Sequence, residues 1–464
     1  MYLTLLLAYA AALVALGWWS ARRATAQDFF VAGRRLSPAL LAGTLIAANI
    51  GAGSTQGVAG LGYRDGVAAW WWVGAAGVGS VVLAFVVGPR IWRVATAGRH
   101  STVGDYLRAR FGPEVRGLMA VLLWAGSLSI LAAQLVALAG VLHTLTGVPH
   151  AWGCLIGGVV ATLYFATGGL LSSAIVNAVQ VVVLVVGLAL AIPFAWHAAG
   201  GVAALAPPTV PSDYWSVLSG GGSGVMFLAL LGPSFIVSPG LLQKVYGARD
   251  ERAVRLGAGF NALVLLLFAG VPVLLGMLSR VLHPDLPNGE LALPTLLRDD
   301  LPPWLGALAL AALFSAEVSS ADAVLFMLST SIARDLYAGH LRPGADDAAQ
   351  LRVARLAAVG SGLLGTLVAA WAGSIITLMQ LFYSLLSASL FVPVLAGLFV
   401  PRAGRNEALA SMLAGVTTTA GMHAATGGTG VAGLAPVVWG LLASVIALAL
   451  GLAAGGLRGA RARP

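Results

Sequence analysis

Residues 38–59 read PALLAGTLIAANIGAGSTQGVA. The run has the length that a hydrocarbon layer of about 30 Å demands of a helix, roughly 20 residues. It opens as an apolar helix behind Ser37 and Pro38. Its middle then carries Asn49, Gly51, Gly53, Ser54, Thr55 and Gln56 at what should be mid-membrane depth. Each unpaired amide in hydrocarbon costs several kcal/mol, so unwound backbone is tolerated there only where it lines a cavity or an ion site. An interrupted helix with a binding site beside it is predicted.

The rest of the chain supports a membrane setting. Of 464 residues, 59% are hydrophobic and 9% are charged, too little charge for a water-exposed fold of this size. Apolar runs near 2–20, 38–59, 67–88, 117–143, 151–167, 173–197, 221–243, 256–278, 303–333, 356–371, 374–400, 408–425 and 433–456 predict an all-α polytopic membrane protein with thirteen transmembrane helices. Cytoplasmic loops collect Lys and Arg. With the N-terminus outside and the C-terminus cytoplasmic, every one of the 26 basic residues falls inside except Arg64, Arg280 and Arg298. A missed or invented span would scramble that pattern. The net charge of +9 is therefore read as topology, and no nucleic-acid partner is expected. The first apolar run lacks a basic leader and a clear cleavage site and precedes Arg22 and Arg23, so it reads as a helix rather than a signal peptide.

Cys154 is the only cysteine, which excludes an internal disulfide or thiolate cluster. No His pair has metal-ligand spacing, no Walker loop is present, and no nucleotide-binding module follows the last span. Neither an ATP-driven pump nor an intramembrane enzyme is expected. Most of the 60 glycines read as close helix packing, as in Gly53-x-x-x-Gly57. Trp18, Trp19, Trp70, Trp71, Trp72, Trp92, Trp215 and Trp304 lie near span ends and read as interface anchors.

Two further stretches carry chemistry. The seventh span holds Gly232-Pro233-Ser234 and Ser238-Pro239-Gly240, five helices after the first break. Interrupted helices at matching places in two halves point to an inverted-repeat transporter that binds at the midplane; two ordinary kinks are the plain alternative. The ninth span reads Ala316-Glu317-Val318-Ser319-Ser320-Ala321-Asp322. Intramembrane carboxylates are functional by default. The Ala316 carbonyl and the hydroxyls of Ser319 and Ser320 share a helix face, and could offer neutral oxygens to a small hard cation together with carbonyls freed near Ala47 and Ile50. Alternatively, the two serines bond back to their own helix.

These residues resemble the sodium:solute symporter family. The resemblance rests on Asp28-Phe29-Phe30-Val31-Ala32-Gly33-Arg34, Ala47-Ala48-Asn49-Ile50, Thr102-Val103-Gly104-Asp105-Tyr106-Leu107, Tyr164-Phe165-Ala166-Thr167-Gly168-Gly169-Leu170, Gln243-Lys244 and Ser319-Ser320. It implies the leucine-transporter-type fold of five plus five inverted helices, with one helix before and two after. The chain then divides into 1–37 (first helix and cytoplasmic loop), 38–200 (first repeat), 201–402 (second repeat) and 403–464 (two further helices and a short tail). The resemblance also implies a sodium site at Ala47, Ile50, Ala316, Ser319 and Ser320. Some members have an acid where this chain has Asn177, which sets a second sodium in doubt; Asp322, one turn beyond Ser319, is the substitute candidate. Glu317 is read either as a protonatable coupling group or as the partner of an arginine near the cytoplasmic side.

The function expected is secondary active transport, not catalysis: sodium-coupled symport of a small organic solute across the cell (inner) membrane. No cofactor is expected beyond the coupling sodium. Asn49, Gly53, Ser54, Gln56, Gln134, Ser234, Phe235 and Tyr383 are the candidate solute contacts, and the lack of a clear basic residue among them favours a neutral or zwitterionic solute. The rivals are a proton-coupled symporter or uniporter on the same fold, and a membrane-embedded solute sensor.

Overall fold

The computed structural model describes residues 34–167, 170–201, 210, 212–220 and 222–461, so the expected first helix lies outside the described residues. The described residues are almost entirely helical. Helix α1 (Pro38–Asn49) starts where the Ser37 hydroxyl accepts from Leu40 N and Pro38 supplies a preset turn. A 3₁₀ turn (Ala52–Ser54) follows, then α2 (Gln56–Asp65). Helix α3 (Trp70–Val82) continues through a π-turn (Leu83–Val87) into α4 (Gly88–Ala97). A Thr102/Asp105 capping box opens α5 (Val103–Phe111). Helices α6 (Pro113–Thr146), α7 (His150–Thr167) and α8 (Leu170–Ala198) complete the first half. Gly147, at φ 72°, takes the left-handed turn that ends α6.

A two-residue hairpin, β1 (Ser219–Gly220) with β2 (Ser223–Gly224), precedes α9 (Phe227–Val237) and α10 (Pro239–Tyr246). Then come α11 (Glu251–Phe268), α12 (Gly270–Leu282), α13 (Ala292–Asp299) and α14 (Pro303–Thr330), the last running into a π-helix (Ser331–Leu341). Helices α15 (Asp347–Trp371), α16 (Ile375–Phe399), α17 (Arg405–Thr426) and α18 (Pro436–Arg461) close the chain.

Among the described residues, eight helical segments are long and apolar enough to cross a membrane, and three shorter apolar helices accompany them. The shortfall against the expected crossings has physical causes. Breaking the 38–65 segment leaves α1 with 12 residues, about 18 Å of helix, which is half a bilayer. Helix α17 carries Arg405, Asn406, Glu407 and several Thr and Gly, and is not among the apolar set. The segments between spans at 198–220 and 279–302 contain the first hairpin strand and α13. The seventh span begins at 227 rather than 221, because 219–224 forms the hairpin.

Burial orders the layers. In the 303–339 segment, 89% of the most apolar stretch is buried, against 17% in 436–454. Helix α14 is thus central and α18 peripheral, its other face left for lipid. The turn at 52–54 meets α6, α14 and α16, so the break in the first helix lies against the most buried helix of the protein.

Candidate functional site

The break begins where backbone donors leave the helix. Ile50 and Gly51 turn extended, and Gly51 N bonds the Ser54 hydroxyl at 2.9 Å instead of Ala47 O. Ala52 N is taken by Gln134 Oε1 at 2.9 Å, and Ser54 N turns back to Gly51 O. The carbonyls of Ala47 and Ile50 are thereby released from the α-helical ladder. The Ser54 hydroxyl also lies 2.9 Å from Asn49 O.

Helix α14 answers with hydroxyls. Ser320 Oγ lies 3.3 Å from both Ala47 O and Ile50 O. Beside it, buried Ser319 Oγ has no hydrogen-bond partner among the described residues, and Ala316 is buried one turn away. An orphaned buried hydroxyl costs about 1–3 kcal/mol. The alternative in which both serines bond back to their own helix therefore fails for Ser319. These residues gather neutral oxygens, the donor set that suits a small hard cation.

Glu317 projects to the same break. Thr55 Oγ1 donates to its Oε1 at 2.8 Å, and the Gln56 side chain lies against the carboxylate while its amide nitrogen also donates to Ala137 O at 3.1 Å. No arginine pairs with Glu317 among the described residues, so the ion-pair expectation is corrected. The reason is depth: Glu317 faces the unwound turn, whereas the buried arginine of this region, Arg116, bonds Asp335 at 3.0 Å and Asp105 at 3.1 Å further along the bundle.

A cavity lies alongside the break. Of the expected solute contacts, Asn49, Gly53, Ser54, Gln134, Phe235 and Tyr383 line it. Gln56 and Ser234 do not. Helix α2 turns Gln56 toward α6, and Ser234 Oγ lies 3.0 Å from Tyr383 O and 2.7 Å from Ser387 Oγ. That last cluster also explains why the helix does not break at Gly232-Pro233-Ser234 as expected. The hydroxyls of Ser234 and Ser387 lie within 2.9 Å of Leu230 O and support the turn that Pro233 weakens, so the interruption falls at Ser238 alone.

A second cavity shares Ala48, Asn49, Ile130, Phe235, Val324 and Tyr383 with the first and extends to Ser238, Gly240 and Lys244. Lys244 is buried and attracted to Asp322, also buried. Asn177 falls on α8, but its side chain lies outside the described residues.

Sequence reasoning missed several residues of the first cavity, among them Trp72 and Met379. Trp72 was grouped with interface anchors, yet it is 2% exposed and packs edge-on against Phe227 and Tyr383. The correction follows from helix phase. Of three consecutive tryptophans, one must face away from lipid, and the sequence offers no signal of which.

The family model for the sodium:solute symporter family matches residues 29–415. The chain belongs to that family. Its members and neighbours are transporters, not enzymes, and the chain is an integral membrane protein of this sodium-coupled class. It is 29% identical over 458 residues to the sodium/pantothenate symporter of Escherichia coli (strain K12), covering 91% of this chain and 89% of that protein. It is 24% identical over 453 residues to the sodium/glucose cotransporter of Vibrio parahaemolyticus, covering 88% and 82%. Among solved structures, the substrate-bound outward-open state of a Na⁺-coupled sialic acid symporter matches with a TM-score of 0.80 at 19% identity, over 97% of both chains. Mhp1, a nucleobase-cation-symport-1 family transporter in a closed conformation, matches with a TM-score of 0.57 at 16% identity, over 92% and 93%. The chain therefore shares the fold of these two transporters.

Proposed function

We propose that this symporter couples the entry of sodium to uptake of a small neutral or zwitterionic solute by alternating access. The observation that carries the reading is the meeting of Ser320 with the released carbonyls of Ala47 and Ile50, beside the orphaned Ser319 hydroxyl. Ala47, Ile50, Ala316, Ser319 and Ser320 would hold the sodium. A cation there ties α1 to α14, and only a preference of the cation for one state can pass gradient energy to the solute. The solute would occupy the adjoining cavity, contacting Asn49, Ser54 and Gln134 between Trp72, Phe235 and Tyr383. No charged residue lines that cavity, which supports a solute without net charge.

The matching breaks at 50–55 and at Ser238 support two inverted five-helix repeats, 38–200 and 201–402, with one helix before and two after, thirteen in all. The basic residues support an outside N-terminus and a cytoplasmic C-terminus in the cell membrane. Asp322 is the candidate for a second cation or for coupling. Lys244 is its buried neighbour, and their mutual attraction supports a single sodium per cycle.

The test is uptake into proteoliposomes containing only this protein, over a panel of uncharged and zwitterionic solutes, with sodium or choline outside. Sodium-driven accumulation that Ser319→Ala and Ser320→Ala each weaken is expected. Accumulation with the same rate in choline would overturn sodium coupling, and binding without flux would indicate a sensor. Proton coupling is the second reading, favoured by Glu317, whose one bonded oxygen meets a hydroxyl rather than a cation. Sodium-independent uptake that follows an imposed pH gradient and is lost in Glu317→Gln would establish it.

A further inference from the structure

Away from the transport pathway, α4, α5 and the end of α16 enclose a cavity with about 760 Å³ of open space. Its lining includes Arg90, Arg93, His100 and Arg110 and contains no carboxylate. The guanidinium of Arg90 stands 4.4 Å above the Phe399 ring, and Arg90 pairs with no acid among the described residues. Arg110 donates to the carbonyls of Gly397, Val400 and Pro401 at the end of α16, which leaves its charge uncompensated. Arg93 reaches only a distant partner, Glu251 at 3.5 Å, which itself bonds Arg255 at 2.8 Å. Asp105, whose charge reaches His100, is engaged by Arg116. Burial holds the His100 imidazole below its ordinary range, so the arginines carry the charge at neutral pH.

An apolar track adjoins this cavity. Val78, Val81, Phe85 and Val86 follow one another at helical spacing along α3 and its π-turn, all exposed, and lead directly to Arg90 and Arg93. Phe260, on neighbouring α11, widens the track and is 53% exposed. An apolar strip ending in a cluster of guanidinium groups has the chemistry of an acyl chain beneath a phosphate.

We infer that the cavity bounded by Arg90, Arg93 and Arg110 seats the phosphate headgroup of an anionic phospholipid whose acyl chain lies along Val81, Phe85 and Val86. A free phosphate shares the headgroup chemistry but would make no use of the strip. A lipid held there bridges α4 to the end of α16, two elements otherwise joined at this face through Arg90 and Phe399.

The test is native mass spectrometry and thermal unfolding of the full-length protein in detergent with added phosphatidylglycerol, phosphatidylcholine, inorganic phosphate or glycerol 3-phosphate. Retention of phosphatidylglycerol over phosphatidylcholine is expected, with binding about fivefold weaker for each of Arg90→Gln and Arg93→Gln. Both residues are exposed, and each variant's lipid response is read against its own lipid-free unfolding. Phe85→Ser should weaken the lipid without altering any response to phosphate. Equal retention of the two lipids, or no effect of either arginine substitution, would overturn the site. Stabilisation by inorganic phosphate equal to that by phosphatidylglycerol would overturn the lipid as its source.

Discussion

Thr55 and Glu317 are joined by a 2.8 Å hydrogen bond between the unwound turn of the first broken helix and the most buried helix of the bundle. The Thr55 hydroxyl also lies 2.9 Å from Gly51 O, so a single group links the carboxylate to the backbone of the break. Thr55→Val keeps the shape and removes the donor. It should destabilise the protein by about 1–3 kcal/mol, the cost of leaving a buried acceptor unpaired, whereas Thr55→Ser should behave nearly as the parent. Thermal unfolding in detergent measures both, and equal effects of Val and Ser would show the bond to be inert.

Gly51 and Gly53 flank the same turn and differ in what a methyl would meet. At Gly51 it would overlap the Ser320 side chain and Gln134 Oε1. At Gly53 it would meet the thioether end of Met379, which can swing away. Overpacking costs about 1–3 kcal/mol, so Gly51→Ala should weaken the sodium response roughly tenfold or more, and Gly53→Ala should leave it nearly intact. A sodium titration of tryptophan fluorescence, with Trp72 in the cavity wall, reads the difference.

Arg116 is 4% exposed and Asp335 3%, and Thr102 Oγ1 completes their network at 2.8 Å from Asp335. Breaking a buried pair from one side typically costs about 3–5 kcal/mol. Arg116→Met should lower the unfolding temperature sharply, and Arg116→Met combined with Asp335→Asn should recover much of the loss. Equal unfolding temperatures for the single and double variants would show that no buried charge was stranded.

Glu290 caps α16 from the loop before α13, accepting from Ile375 N and Ile376 N at 2.9 and 3.1 Å and from the Ser374 hydroxyl at 2.9 Å. It also packs against Gly60 of α2. Glu290→Gln keeps the size and removes the charge that complements the helix N-terminus, for an expected loss of about 1 kcal/mol. A melting curve that matches the parent would show the cap to be dispensable.

Much of this was legible in the chain. The apolar runs and the interruption at Asn49 to Gln56 follow from a rule that acts locally, since hydrocarbon offers backbone no other partner. The proximity of Ala47, Ile50 and Ser320 was anticipated from helix spacing and family resemblance, and 3.3 Å contacts join them. The same local reasoning erred where partners come from other helices. The Pro233 turn is supported by Ser387, which is 153 residues from Ser234, and no pattern around Pro233 announces it.

The sequence by itself determined that this chain is an integral membrane bundle with a broken helix, because length, apolarity and backbone desolvation are properties of each segment alone. Only the tertiary structure decided which oxygens meet. Helix rotation and depth turned Trp72 inward, gave Glu317 a threonine instead of an arginine, set Lys244 beside Asp322, and left the Ser319 hydroxyl without a partner among the described residues. Such choices arise from packing several helices at once, and a change of phase of one residue, about 100° on a helix, reverses them.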